Sequence, residues 1–462
     1  MNNEDLLKGV HLIHFIGIGG SGMCPLAEIL HSRGYSLTGS DNNESDNVIR
    51  LKGLGIPVVL GQRAENIGNA DLVVYTTAIP EDNPERMEAV KRNIPMIERA
   101  QLLGWITRQY DRAVAVAGTH GKTTTSSKLA QILLGADLDP SLFIGGRLPL
   151  INANGRSGKS DLFVCEACEF QDHYQAMTPA ISIILNIDAD HLDYFGNLQN
   201  IIASFAKFAA KTTGTLIYNA ADENTLKALE TLPADIRQKG ISYGLSKDCD
   251  WCAENVKPIR GSYYGYDLIH HGEKLCTVSL GVPGEHNVLN SLAAAAAAYL
   301  CGATPEQIEA GLRSFGGAGR RFEKVGEANG VTFIDDYAHH PTEITATIAT
   351  AKKLTDGRLW AIFQPFTFSR TARHLKEFAE ALSAADRVIV SDIMGSREQN
   401  TWKVHSTQIT EQIDGATYLA TFPEIAEFVS DQVQPGDLVL TMGGGDVYNC
   451  ARMTLARYQE KQ

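Results

Sequence analysis

Apolar and polar positions along this chain repeat in two alternating rhythms. Short apolar runs at His11–Ile16, Leu72–Thr76, Ala113–Ala117, Leu162–Cys165, Ile181–Leu185, Leu359–Phe363 and Arg387–Val390 read as buried strands. Longer stretches compatible with a helix lie between them, as at Met23–Arg33 and Thr124–Leu134. Strand followed by helix, many times over, predicts an α/β protein whose sheets are mostly parallel. Thr215–Asn219, Ile241–Gly244 and Leu268–Leu280 read as further strands, at a sheet edge that is partly antiparallel. Breaks in the pattern near Trp105–Asp111 and at the glycine-rich Gly316–Arg321 divide the chain into three segments, 1–108, 109–317 and 318–462. A length of 462 residues agrees with about three domains.

Composition narrows the classes. A hydrophobic share of 44% and a charged share of 21% suit a globular chain with large cores. The start carries no basic-then-apolar leader and no apolar run is long enough for a membrane span, so the expected location is the cytoplasm, with no membrane insertion. A formal charge of −13 argues against nucleic acid as a partner. It also means that an anionic substrate must be met by local cations and helix N-termini. Among the eight cysteines two pairs, Cys165–Cys168 and Cys249–Cys252, have CxxC spacing. Positions i and i+3 of a strand face opposite ways, so the first pair is not read as a zinc site, and reduced thiols are expected.

Candidate chemistry gathers at strand ends. Gly118-Thr119-His120-Gly121-Lys122-Thr123-Thr124-Thr125 follows one buried strand and opens a helix. That layout makes a phosphate cradle: backbone N–H groups point at the anion, Lys122 adds a mobile positive charge, and the Thr123 hydroxyl can hold Mg²⁺. Val116 stands where the full P-loop pattern has its first glycine, so the loop is a variant. Gly17-Ile18-Gly19-Gly20-Ser21-Gly22 fits GxGxxG, with Gly17, Gly19, Gly20 and Gly22 reporting a diphosphate near a helix N-terminus and Asp41 placed where an acidic side chain grips a ribose. Glu166 and Glu169 end one strand of the second segment, and Asn186–His191 ends the next. Lys122, Thr123, Glu166, Asp190 and His191 are therefore expected around one nucleotide and its metal. Asn287 and Asn290 sit one turn apart at the start of an Ala-rich helix, where they either cap it or meet a base. In the third segment the polar clusters are Asp335–Pro341 with adjacent His339 and His340, Gln364-Pro365 leading to Arg370 and Arg373, and Gly443–Asp446.

These motifs, in this order, resemble those of the Mur ligases, ATP-dependent amide-bond enzymes of peptidoglycan precursor synthesis. The likeness spans nearly the whole chain: Gly118–Thr125, Glu166, Asn186–His191, His286-Asn287 through Asn290, Gly319-Arg320-Arg321-Phe322 and Asp335–Thr342. It implies a Rossmann-like first domain for a UDP sugar, a central P-loop ATPase-type domain and a Rossmann-like third domain that closes over the site. It implies ATP and Mg²⁺, with Gly118, Thr119, His120, Gly121, Lys122, Thr123 and Thr124 on the phosphates and Thr123, Glu166 and His191 around the metal. Asn287 would contact the adenine side, with Asn290 and Arg321 nearby, while Asp336, Tyr337, His339 and Arg370 arrange the amino acid and the reacting phosphate. Within the family the Gly17–Gly22, Asp335–Pro341 and Gly443–Asp446 forms match the member that joins L-alanine to UDP-N-acetylmuramate as a monomer or weak homodimer. A recycling member that attaches a tripeptide to the same sugar nucleotide shares much of the pattern. Phe366-Thr367 departs from it, since His-Arg usually follows Gln-Pro in this family. Two readings of other classes are an NAD-dependent oxidoreductase, which leaves the Lys122-Thr123 loop unexplained, and a nucleotide-binding switch without catalysis.

Overall fold

The computed structural model describes residues 6–396 and 398–461. The first sheet contains β1 (Leu12–Ile16), β2 (Ser36–Asp41), β3 (Val58–Leu60), β4 (Leu72–Tyr75) and β5 (Met96–Glu98), in the order β3-β2-β1-β4-β5. Its pairings are all parallel, as apolar strands alternating with helices require. The second sheet is built from β6 (Arg112–Ala117), β7 (Ser141–Leu148), β8 (Ala153–Arg156), β9 (Leu162–Glu166), β10 (Ile181–Ile184), β11 (Thr215–Asn219) and β12 (Gly240–Gly244), with β13 (Trp251–Arg260), β14 (Tyr263–His270) and β15 (Glu273–Ser279) after them. Strand β6 lies between β9 and β10, and β8 runs antiparallel to β7. Leu268–Leu280 is not one strand. His271 and Gly272 both take a positive φ, +48° and +80°, and turn the chain between β14 and β15.

By compactness the chain forms two units. The larger holds the residues up to Glu254 with Leu268–Cys276 and Leu289–Leu312, and the smaller holds Asn255–Asp267, Thr277–Val288 and the residues from Arg313 onward. Within the larger unit the first two sheets share an apolar core, in which Leu26, Leu30, Trp105 and Ile106 join Phe163, Tyr174 and Phe205. Close backbone approaches bring the two layers together. Gly104, in the Arg99–Thr107 helix, has the carbonyl oxygen of Ala176 only 2.1 Å from where a Cβ would be, so a methyl there has no room. Gly155 accommodates Pro25 in the same way, with Pro25 Cβ 2.4 Å from the corresponding point.

The smaller unit has its own sheet of β16 (Glu323–Ala328), β17 (Val331–Asp336), β18 (Leu359–Phe363), β19 (Arg387–Val390), β20 (Thr417–Tyr418) and β21 (Leu438–Met442), in the order β16-β17-β21-β18-β19-β20. Only the β16–β17 pair is antiparallel. Apolar clusters cover both faces, around Phe363 and Phe378 on one and around Phe333 and Ile362 on the other. Among the described residues no helix is long and apolar enough to cross a membrane.

Candidate active site

The phosphate loop starts where β6 stops. Val116 is in register with Glu166 of β9, and Ala117 with Ile184 of β10, so the loop leaves the sheet between the ends of both neighbours. Gly118 and Gly121 take φ of +147° and +85°, conformations that side chains resist, and Gly121 caps the Lys122–Gly135 helix. The loop is fastened to the strand end beside it. Thr119 N donates to Asn186 O (3.0 Å), His120 N to Asn186 Oδ1 (2.8 Å), and Asp188 N to Thr119 Oγ1 (2.8 Å). His120 Nε2 lies 3.1 Å from Asp188 Oδ2. Asn290 lies on the loop, its Oδ1 2.8 Å from the point where a Cβ on Gly121 would be. The Lys122 ammonium donates to the carbonyl of Thr119 (3.0 Å) and pairs with Glu169 (2.9 Å). Burial pulls its pKa down, but Glu169, Cys168 and Glu166 outweigh that and hold it above the ordinary lysine value.

Glu166 faces the same loop from the end of β9. Its Oε2 accepts from Thr123 Oγ1 (3.2 Å), and its Oε1 accepts from Ser126 Oγ (3.1 Å) and from the backbone N of Gly145. A hydroxyl and a carboxylate side by side at a phosphate loop are the hard oxygen donors that suit magnesium. Gly145 is essential to that placement: a Cβ there would lie 2.5 Å from Glu166 Oε2 and 2.9 Å from Thr123 Oγ1. His191 takes a left-handed φ of +49° and packs against Phe170 with the rings tilted 58°, centroids 4.9 Å apart. Phe170 directly follows Glu169, so a short segment connects the Lys122 partner with the His191 ring. Gln171 and Asp172 then both adopt positive φ, +52° and +58°, and turn His173 toward the first sheet.

A cleft of about 560 Å³ runs through the larger unit. Gly17, Gly20 and Gly22 line it on one side, and Gly145, Glu166 and Cys168 on the other. Asp41 is also on its wall, but its Oδ2 accepts from Gly19 N (2.9 Å) and its Oδ1 from Asn43 N (3.1 Å), so the carboxylate shapes the glycine loop. Ser40 O holds the same loop through Gly17 N (2.8 Å) and Ile18 N (2.9 Å). Gly145 and His173 were not singled out from the sequence, and Cys168 was weighed only as half of the Cys165–Cys168 pair.

The smaller unit assembles a second polar cluster. Asp336, at the end of β17, accepts from Phe322 N and Ala338 N, both at 2.7 Å. Tyr337 lies under Arg320 and Arg321, 4.9 and 5.0 Å from its ring, and its carbonyl faces His339 Nδ1 at 2.9 Å. Phe366 packs edge-on to His339, ring centroids 6.2 Å apart, in the place where the family pattern has a polar side chain. Arg370 follows Thr367, whose Oγ1 caps the Phe368–Arg373 helix. Asn287, in the first turn of the Ala-rich helix His286–Leu300, donates from Nδ2 to Pro283 O (2.6 Å) and so braces the Pro-Gly turn. Burial lifts the Asp336 carboxyl to about 6, against the pull of Arg321. A folded-state pKa above the unfolded ~3.9 means that the folded chain holds this proton more tightly. The stability it contributes is full below about pH 4 and is lost as pH rises through about 6, amounting to roughly 3 kcal/mol. The difference between wild-type and Asp336→Asn unfolding free energies should change across that window. A flat difference curve from pH 4 to 7 would show that the group titrates normally.

Three family models match the chain: the Mur ligase catalytic domain over residues 12–111, the Mur ligase middle domain over 116–298 and the Mur ligase glutamate ligase domain over 320–445. The chain belongs to the Mur ligase family. Among its relatives, the UDP-N-acetylmuramate–L-alanine ligase of Agathobacter rectalis is 46% identical over 97% of this chain and 98% of its own length. The enzyme of the same name from Acetivibrio thermocellus is 42% identical over 96% and 95%. Of solved structures, the UDP-N-acetylmuramate–alanine ligase of Thermotoga maritima superposes with a TM-score of 0.81 at 28% identity, covering 98% of this chain and 100% of that one. A murein peptide ligase from Psychrobacter arcticus gives 0.73 at 27%, covering 97% and 98%. The α/β architecture and the ligase class of the Mur family are therefore those of this chain.

Proposed function

We propose that this protein joins L-alanine to the lactyl carboxylate of UDP-N-acetylmuramate, with ATP consumed through an acyl phosphate, in peptidoglycan precursor synthesis. The observation that carries the reading is the single cleft bearing both the Gly17–Gly22 loop and Glu166, next to the Lys122 loop. A sugar nucleotide on the glycine loop then has its acid end at the phosphoryl-transfer site. The full-length likeness to L-alanine ligases favours alanine over the tripeptide of the recycling enzyme. Segments 1–108, 109–317 and 318–462 serve as the sugar-nucleotide, ATP and amino-acid domains.

The chemistry follows from charge. A carboxylate is a poor electrophile, so its oxygen first attacks the γ-phosphorus of ATP, forming the acyl phosphate and releasing ADP. That step crowds negative charge, which Lys122 and the N–H groups of the Gly118–Thr124 loop offset. Thr123, Glu166 and His191 would hold Mg²⁺, which supplies further charge neutralisation on the phosphates when bound. The alanine amine then attacks the acyl carbon and phosphate leaves. Asp336, Tyr337, His339 and Arg370 orient the amino acid, and Asn287, Asn290 and Arg321 the nucleotide. Phosphate release from ATP and UDP-N-acetylmuramate, compared for L-alanine, glycine, L-serine and the tripeptide, tests the assignment. Alanine should be preferred; preference for the tripeptide would move the assignment to the recycling reaction.

A further inference from the structure

The β10 ladder ends at Ile184, which faces Ala117 of β6 and Tyr218 of β11, but the polar backbone groups beyond it still need partners. On one side the phosphate loop supplies them. Besides the bonds made by Thr119 N, His120 N and Asp188 N, Asn186 Nδ2 donates to His120 O (3.0 Å). On the other side stands the run that ends β11 and leads into the next helix, Asn219-Ala220-Ala221-Asp222-Glu223-Asn224. There side chains take over the pairing that a strand would have made. Asn219 Nδ2 donates to Leu185 O (3.0 Å), Ile187 N donates to Asp222 Oδ2 (3.1 Å), and Asn224 Nδ2 donates to Ile187 O (2.9 Å).

The three side chains are not equivalent. Asn219 is buried and also accepts from Ala221 N (3.0 Å), so it serves its own turn as well. Asp222 caps the Glu223–Glu230 helix through Thr225 N (2.8 Å), and the same Oδ2 takes the Ile187 amide. Asn224 is half-buried, and its Oδ1 meets the exposed Lys227 (3.3 Å), so only its Nδ2 end is committed inward. The helix already has its cap in Asp222, and a donor at 224 adds nothing to it. Ile187 is thus gripped by both its N–H and its C=O. Its neighbours Asn186 and Asp188 are the residues that fasten the phosphate loop, and His191 lies further along the same segment. None of the three side chains is among the described residues lining the cleft.

We propose that Asp222 and Asn224 are positioning residues for phosphoryl transfer: by clamping Ile187 they fix the Asn186–Asp188 segment against which Thr119 and His120 set the phosphate loop. The assignment rests on the ATP reading of that loop and adds to it two residues from outside the site. The clamp has a chemical polarity, an acceptor at 222 and a donor at 224. Groups that orient a site's contact residues commonly carry about 10- to 100-fold in affinity or rate, because small displacements at a reacting centre are costly.

The test is calorimetric binding of a non-hydrolysable ATP analogue with Mg²⁺, and of UDP-N-acetylmuramate, to full-length wild type, Asn224→Ala, Asn224→Asp and Asp222→Asn. Alanine at 224 should weaken the ATP analogue about 10-fold and lower kcat/KM for ATP in parallel, with UDP-N-acetylmuramate binding unmoved. Its melting temperature should shift by no more than about 2–4 °C, since one hydrogen bond at a half-buried residue is lost. Aspartate has nearly the shape of asparagine but sets a carboxylate against the Ile187 carbonyl, so Asn224→Asp should be worse than alanine, by up to about 100-fold against wild type. Asp222→Asn keeps an acceptor for the Ile187 amide and should stay close to wild type. Amide hydrogen exchange at Ile187 and Asp188 should quicken in both 224 variants, with β10 still protected. Wild-type affinity for the analogue in both 224 variants overturns the assignment, as does Asn224→Asp outperforming Asn224→Ala. A loss that follows the melting temperature and falls equally on UDP-N-acetylmuramate also overturns it, by making the clamp a matter of folding alone. Wild-type protein that fails to bind the analogue overturns the ATP reading itself, an outcome distinct from the others.

Discussion

Replacing Lys122 with methionine is expected to reduce phosphate release by at least about 10²–10³-fold, the usual consequence of removing one group that meets charge developing in a transition state. Three contacts define its resting position: the carbonyls of Gly118 and Thr119 and the carboxylate of Glu169. The single variant leaves Glu169, 3% exposed, without its cation. Stranding a buried carboxylate in this way costs about 3–5 kcal/mol, so lower activity alone would be ambiguous. Lys122→Met combined with Glu169→Gln removes that ambiguity, because the stranded charge goes with the lysine. The double variant should regain thermal stability while remaining inactive. Normal turnover in a folded double variant would sink the assignment of the loop.

Adding one methyl group at Gly145 should be nearly as damaging. Its backbone φ is not positive, so alanine is tolerated conformationally. The new Cβ, however, would sit 2.5 Å from Glu166 Oε2 and 2.9 Å from both Glu166 Oε1 and Thr123 Oγ1. The carboxylate must swing away, and displacements of about 1 Å at a reacting centre cost on the order of 10²-fold in rate. We expect Gly145→Ala to keep its melting temperature, lose about 10²-fold in kcat and require more Mg²⁺ for half-maximal rate. Wild-type kcat and Mg²⁺ dependence in this variant would mean that Glu166 and Thr123 do not act together.

The Lys122 and Gly145 variants also mark what sequence can and cannot convey. Gly118–Thr125 was legible because everything it needs is local: a strand, a left-handed turn and a helix start within one short stretch. Glu166 was legible as a carboxylate at a strand end. Gly145 was not, since the reason for its missing side chain lies 21 residues further on, in a carboxylate that folding brings to it. Asp41 fits the ribose-gripping pattern by spacing, but spacing does not reveal that the Gly19 amide takes up one of its oxygens. The β7–β8 hairpin went unread because its Gly- and Asn-rich strands lack apolar alternation. Leu268–Leu280 read as one strand because His271, unlike an Asn-Gly pair, gives no sign that it will reverse the chain.

The turn at Gln171 and Asp172 has a wider consequence. Two adjacent side-chain-bearing residues in left-handed geometry cost about 1–3 kcal/mol each, and such a conformation persists only where its surroundings enforce it. Here the enforcement comes from Asp172, whose carboxylate is held by Ser204 and by the Tyr194 hydroxyl (3.0 Å), and from Tyr174, stacked on Phe208. Between Glu169 and His173 the chain therefore has no slack. Gaining or losing a single residue there would pull the lysine's counter-ion and the His173 wall of the cleft out of register together, so this stretch can drift in spelling over evolutionary time but not in length.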